Sequence, residues 1–130
     1  MTPLEILAIA GVVAAVAVIL YIITNDVRTG NIPLALALFG GFSGYTAVTI
    51  AREGVMPLWL NHTNNLWGIQ VWWDLLLSVG IALFFIAPRA RKVGMSIAPW
   101  ALFVAATASI GLLAMVARVF WLERSAAGEA

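Results

Sequence analysis

The amino-acid sequence predicts an all-α protein, an integral membrane bundle of four transmembrane helices in a single domain of residues 1–130. Hydrophobic residues make up 63% of the chain and charged residues only 10%, whereas soluble domains carry about 25% charged residues. Four apolar segments approach the roughly 20 residues that a helix needs to cross a bilayer. We expect helices because lipid cannot pair exposed backbone amides and carbonyls.

Turn-forming residues separate the predicted spans. The first span has no basic segment before it, so we interpret it as a membrane helix and not as a cleaved signal peptide. A turn-rich loop, NDVRTGNIP, follows it. Pro88 ends the third span, and Pro99 is tolerated in the first turn of the fourth. The spans are about residues 4–24, 34–51, 66–87 and 97–122.

The distribution of basic residues predicts an orientation. The first and third loops contain Arg28, Arg89, Arg91 and Lys92. The second loop and the tail contain Arg52 and Arg124. By the positive-inside rule the first and third loops face the cytoplasm, and both termini lie on the outer side. Five tryptophans would then lie near the outer interface, which indole rings favour: Trp59, Trp67, Trp72, Trp73 and Trp121.

Small residues at helical spacing are candidates for helix packing. In lipid, helices approach each other through glycine, alanine and serine, because no hydrophobic force drives them together. The second span contains Gly40 and Gly44 at spacing four, and the fourth contains Ala101, Ala105 and Ser109. These faces serve either the bundle itself or the docking of another subunit.

One carboxylate, Asp74, lies inside a predicted span. Gln70, Asp74 and Ser78 recur every four residues and therefore share one face of the third helix. A charge within hydrocarbon costs about 2.5 to 3.5 kcal/mol, so it normally faces the protein interior and has a partner. We therefore expect Asp74 to face inward.

The fourth and second spans supply candidate partners for Asp74. Under the predicted topology Arg118 or Arg52 forms an ion pair with it, and Tyr45 or Gln70 donates a hydrogen bond. This pair has either a structural role, fixing helix register, or a functional one as the polar floor of an outward-opening pocket. A carboxylate that simply reaches the interface is a further structural interpretation. The tryptophans that would cover the pocket are Trp72 and Trp73.

The sequence requires no metal or cofactor. His62, the sole histidine, lies in the second loop, where a solvated or hydrogen-bonded side chain is the ordinary state. A second interpretation is axial ligation of a haem or chlorophyll. There is no cysteine, no metal-ligand spacing, and no basic cluster of the kind that binds nucleic acid. A lipid, quinone or pigment is compatible with the composition.

Three short motifs are similar to those of a known family. They are WWDLLLSV at 72–79, RKVGM at 91–95, and RVFWLER at 118–124 preceded by Gly111. On these motifs, residues 34–124 resemble a family of small bacterial multi-pass membrane proteins known only as a domain of unknown function. The resemblance implies the bacterial cytoplasmic membrane and carries no biochemical activity. The first span is an addition to the family's plan.

These observations favour a non-enzymatic accessory subunit of a larger membrane complex that helps to form a lipid, quinone or pigment site. Its partners would be membrane lipids and other subunits or further copies of the chain. One alternative is a small homo-oligomeric transporter or channel that uses Asp74. Another is an intramembrane enzyme acting on an isoprenoid or other lipid. Catalysis is less favoured, since the spans contain neither paired carboxylates nor a serine with a histidine base.

Overall fold

The all-helical class is confirmed by a computed structural model, which describes residues 1–24 and 30–128. These residues form helices and contain no strand. The chain divides into two units, Met1–Gly30 and Asn31–Ala130. The first unit contains α1 (Pro3–Thr24), and the second contains all the later helices. Arg28, which contributes to the predicted orientation, lies outside the described residues.

Three helices of the described residues are long and apolar enough to cross a membrane. They are α1, α2 (Ile32–Glu53) and α4 (Leu66–Lys92). They correspond to the first three predicted spans, with α2 somewhat longer than predicted. The prediction that Pro88 ends the third span is wrong: α4 continues through Pro88 to Lys92, because a membrane helix tolerates a single proline. Between α2 and α4 in the chain, α3 (Met56–Thr63) occupies the second loop and packs against α4. Its leucines and tryptophan account for the apolar composition of that loop.

Local capping determines where α2 and α4 begin and where α4 ends. The Asn31 side chain accepts a hydrogen bond from the Leu34 amide at 3.0 Å, and Asn65 accepts one from the Gly68 amide at 2.8 Å. Both satisfy amides that a helix start leaves unpaired. At the end of α4, Gly94 has φ +77° and the Met95 amide donates to the Ala90 carbonyl at 2.9 Å. This Schellman arrangement favours glycine and reverses the chain. It follows the last turn of α4, which contains Arg89, Arg91 and Lys92 and is called the basic turn below.

The predicted fourth span is wrong as a single helix. The chain forms α5 (Ile97–Thr107) and α6 (Ser109–Gly128), separated by Ala108, which has φ +50°. The Thr107 hydroxyl stabilises this break: it donates to the Phe103 carbonyl at 2.7 Å and accepts from the Gly111 amide at 2.9 Å. One side chain therefore caps the end of α5 and the start of α6.

Helix α6 returns alongside α5. Trp100 of α5 and Ala117 of α6 line one cavity, although a continuous helix would separate them by about 25 Å. Arg89, near the end of α4, pairs with Glu123, near the end of α6. With 11 residues, α5 is about 16 Å long, half the thickness of the hydrocarbon core. The helices α5 and α6 are therefore a hairpin that starts and ends at the basic turn.

The packed core of the second unit lies beside this turn. Helix α6 packs against α2 on one side and against α4 on another, and α4 also packs against α5. Apolar side chains from α4, the turn, α5 and α6 meet there. The buried members of this cluster are Ile86, Ala90, Met95, Val104, Met115 and Val119. Burial is therefore concentrated at one end of α4.

The hairpin predicts that the turn after α4 and the tail of α6 lie on the same side of the membrane. The chain has no cysteine, so single cysteines can report each position. We expect Ser96→Cys and Ser125→Cys to react with a membrane-impermeant maleimide from the same side of sealed vesicles. Asn64→Cys, between α3 and α4, should react from the other side. Labelling of positions 96 and 125 from opposite sides would show that the fourth segment crosses.

The close approach at Gly111 distinguishes the hairpin from a straight helix. A Cβ there would lie 2.8 Å from the Val104 Cα and 2.9 Å from the Phe103 carbonyl carbon. Gly111→Ala should therefore lower the free energy of unfolding by about 1 to 3 kcal/mol. In a continuous helix the same change would raise it by about 1 kcal/mol. Gly44→Ala, with nothing within 4 Å of the added carbon, is the matched control. Thermal unfolding in detergent measures both.

Candidate functional site

The polar stripe of α4 faces outward. Gln70, Asp74 and Ser78 are all exposed, whereas the opposite face of α4 packs inward through residues such as Ile86 and Ala90. The three residues do share one face, as their spacing predicts. Among the described residues no hydrogen bond or ion pair reaches the Asp74 carboxylate. The expected inward orientation of Asp74 is therefore not found.

Helical rise explains why Asp74 and Arg118 do not meet. Asp74 precedes Arg89 by fifteen residues, and Arg118 precedes Glu123 by five, which correspond to about 22 Å and about 8 Å along the helices. Since Arg89 and Glu123 are paired, the Asp74 and Arg118 positions differ by about 15 Å in level. The reversal at Ala108 places Arg118 towards the basic turn, away from Asp74.

The other two predicted partners of Asp74 also lie apart from it. Arg52 is in the last turn of α2 and is exposed, with no hydrogen bond or ion pair to the described residues. Tyr45 is exposed on α2, and its ring lies 6.3 Å from that of Phe42. The structure therefore brings none of Arg118, Arg52 and Tyr45 to Asp74, and their roles as ligand-binding residues stay predictions.

Tyr45 and His62 line the same cavity, although the sequence does not pair them. The cavity has a volume of about 280 Å³ and lies between the second half of α2 and α3. Its polar lining includes Tyr45, Thr46, Thr49, Glu53, Asn61 and His62, and the remaining residues are mostly apolar. Apolar walls with convergent polar groups are the combination that small-molecule sites use.

The His62 ring is held in a fixed orientation. Its Nδ1 lies 2.6 Å from the Leu58 carbonyl oxygen, and because a carbonyl can only accept, Nδ1 is the donor. The ring also contacts Trp72, with 5.3 Å between ring centroids. Trp72 in turn lies edge-on to Trp59 at 6.4 Å. This aromatic cluster joins α3 to the start of α4 and limits the directions from which a ligand reaches Nε2.

The tryptophans lie in two groups, one at the level of each end of α4. Trp59, Trp67, Trp72 and Trp73 lie on α3 and the first turns of α4. The prediction for Trp121 is wrong: this residue lies near Glu123, at the level of the basic turn. Trp100 is at the same end, on α5. Indoles at both ends of a span agree with two membrane–water interfaces.

Of the two predicted uses of the small-residue faces, packing within the bundle is not found for Gly40 and Gly44 among the described residues. Gly40 and Gly44 are exposed, and a Cβ added at either position meets nothing within 4 Å. The stripe of the fourth segment is interrupted, because Ala101 and Ala105 belong to α5 whereas Ser109 begins α6. Helix α2 instead meets α6 through a different face that includes buried Ala35.

Sequence reasoning missed the ion pair between Arg89 and Glu123. The Arg89 Nε lies 2.9 Å from one Glu123 oxygen, and its terminal nitrogen lies 2.7 Å from the other. The Arg89 guanidinium also lies 5.2 Å from the centre of the Phe120 ring. Thirty-four residues separate the partners, and a straight fourth span would place them at opposite interfaces. Recognising the Thr107–Gly111 break is what would have identified the pair.

The site is interpreted from its own geometry. No group of three or more histidine, cysteine, aspartate or glutamate side chains in the described ranges, 1–24 and 30–128, is arranged to hold a metal ion. Comparison of the chain with models of protein families, with curated proteins and with solved structures gave no match.

Proposed function

We propose that the protein is a non-enzymatic accessory subunit of a larger membrane complex. Two outward-facing features support this proposal. One is the polar stripe of α4 that contains Asp74. The other is the small-residue face of α2 that contains Gly40 and Gly44. The exposed Asp74 carboxylate carries the argument, because a charge within a span needs a partner.

The depth of Asp74 makes its exposure informative. Counting roughly 20 residues back from Pro88 places the opposite edge of the hydrocarbon core near Ile69. Asp74 is then about 8 Å inside that edge. Aspartate has a single methylene and cannot extend to the headgroups as arginine and lysine do. A donor or cation from another polypeptide would satisfy it, and Gln70 and Ser78 on the same face would add hydrogen bonds.

The small-residue face of α2 supplies a surface for close helix packing. Ala37, Gly40, Gly44, Ala47 and Ala51 recur at spacings of three and four and are all exposed. A partner helix approaches such a face closely enough for extensive van der Waals contact, which is the main source of helix association in lipid. A lipid tail gains no extra contact from glycine compared with leucine, whereas a partner helix gains the close backbone approach that glycine permits. An exposed face of this kind therefore favours a protein neighbour.

The cavity lined by Tyr45 and His62 fits the second part of the proposal, a contribution to a lipid, quinone or pigment site. A quinone is the best match, because the Tyr45 hydroxyl can donate to a quinone carbonyl and the apolar walls accommodate the ring. The volume of about 280 Å³ is near the lower limit of small-molecule sites, about 300 Å³. A second subunit over α2 would enlarge and close it.

The bacterial cytoplasmic membrane is the proposed location, in keeping with the resemblance to small bacterial multi-pass proteins. The basic turn, with Arg91 and Lys92, would face the cytoplasm and the N-terminus the outer side. The hairpin alters one part of the predicted orientation. Because α6 ends beside Arg89, the C-terminal tail is proposed to lie on the cytoplasmic side.

Asp74→Asn tests the accessory role. The side chain contacts no described partner within the chain, so the substitution should leave thermal unfolding in detergent unchanged. Loss of a charge paired across an interface should reduce co-purification of the native partners more than tenfold. Mild-detergent purification from the native membrane with quantitative mass spectrometry measures this. Glu5→Gln, at an exposed carboxylate in the first turn of α1, is the control. Recovery of the whole assembly with the asparagine variant would contradict the proposal.

The glycine face of α2 gives an independent test. The paired substitution Gly40→Leu and Gly44→Leu adds side chains where the chain itself leaves open space. It should preserve helix content by circular dichroism but displace the partner helix, so that the associated subunits are lost on purification. Gly80→Leu, on α4 and also without neighbours within 4 Å, should retain them. Loss in both variants would point to a general effect of bulk.

A homo-oligomeric transporter or channel is the second candidate, supported by the same exposed carboxylate. Several copies arranged with their α4 faces inward would line a shared path with Asp74. In proteoliposomes Asp74→Asn would then abolish transport while the oligomer stays intact. In the accessory subunit the same variant loses its partners, so the two functions give opposite results for assembly.

A further inference from the structure

We propose that Arg118 and the groove between α2 and α6 bind an anionic phospholipid, with the phosphate on the guanidinium and an acyl chain in the groove. The groove has a volume of about 240 Å³. Residues from three helices line it, and Arg118 is the only charged one among the described residues. The lining includes Leu36 and Phe39 of α2, Trp100 of α5, and Ala114 and Trp121 of α6.

The charge of Arg118 has no acidic partner among the described residues. Its guanidinium lies 5.0 Å from the centre of the Trp121 ring, a cation–π contact that orients the group but leaves its donors unsatisfied. The nearest acid along α6, Glu123, is already held by both nitrogens of Arg89. Among the described residues Arg118 is therefore free to bind an anion.

The level of Arg118 in the membrane favours a lipid phosphate. Arg118 lies about 8 Å along α6 from Glu123, which is at the level of the basic turn. An arginine at this depth extends its guanidinium to the headgroups while its methylenes remain in hydrocarbon. Trp100 and Trp121 at the same end are in the position that indoles favour. A guanidinium binds phosphate oxygens through two parallel hydrogen bonds.

The groove determines that the anion carries a hydrocarbon chain. Every lining residue other than Arg118 is apolar, so a free phosphate would occupy only the mouth and leave the walls to water or lipid. An acyl chain along Leu36 and Phe39 covers these walls and places its own phosphate at Arg118. Phosphatidylglycerol has the required charge, whereas phosphatidylcholine has the same chains with a compensating cation.

Native mass spectrometry of the purified protein tests this inference without any partner subunit. We expect several-fold preference for phosphatidylglycerol over phosphatidylcholine. Arg118→Gln should weaken phosphatidylglycerol binding about tenfold, the effect of losing one charge-assisted hydrogen bond. Arg124→Gln, an exposed arginine near the same end of α6, is the matched control and should bind as the wild type does. Circular dichroism verifies that each variant is folded.

Three results would overturn the inference. They are equal binding of the two lipids by the wild type, undiminished phosphatidylglycerol binding by Arg118→Gln, and complete competition by millimolar inorganic phosphate, which would indicate a site for a soluble anion. If Arg118→Gln does not fold, Arg118→Lys replaces it. Lysine keeps the charge but loses the planar fork and the stacking on Trp121, so weaker but measurable preference supports the site, and unchanged affinity contradicts it.

Discussion

The ion pair between Arg89 and Glu123 is the interaction on which the arrangement of the second unit depends. Its two hydrogen bonds, 2.9 and 2.7 Å long, connect the end of α4 to the end of α6 and neutralise both charges at one interface. The pair joins these two ends only because α6 returns beside α5, a reversal that occurs at Ala108 next to Thr107. The level of Arg118 and the position of the end of α6 beside the end of α4 follow from this arrangement.

The hairpin concentrates packing at one end of the molecule's second unit. Buried side chains such as Met115 and Val104 fill the space beside the basic turn. Near the start of α4, Trp72 contacts Trp59 and His62 of the short helix α3, and the cavity of Tyr45 and His62 lies at that end. One end is therefore a packed core, and the other is the region where a ligand or partner has room. Both proposed docking features, Asp74 and the glycine face, extend towards the less packed end.

Hydropathy and length were sufficient to predict the first three spans, because a membrane helix must be continuous and apolar over a fixed length. The caps at Asn31 and Asn65 are equally local. The fold of the fourth segment is not local: a hairpin and a straight helix have the same composition, and only Thr107 with Gly111 marks the difference. The expected ion pair between Asp74 and Arg118 is not found for the same reason. That expectation assumed a continuous fourth helix, which would carry Arg118 towards the level of Asp74. The rule that charges in a span face the protein interior was also applied to the single chain, although a charge on the surface of one chain can face another subunit.

Asp74 and Arg118 are two charges within the apolar helices of the second unit that have no ion-pair partner among the described residues, and they require different solutions. They differ in level by about 15 Å, too far to neutralise each other. Arg118 has a long apolar stem and reaches the phosphates at its own interface, so lipid alone satisfies it. Asp74 has no such reach and lies about 8 Å inside the opposite edge of the hydrocarbon core, where headgroup amines are absent. The proposed lipid ligand therefore accounts for the arginine but not for the aspartate, which is why the proposed partner of the aspartate is a polypeptide.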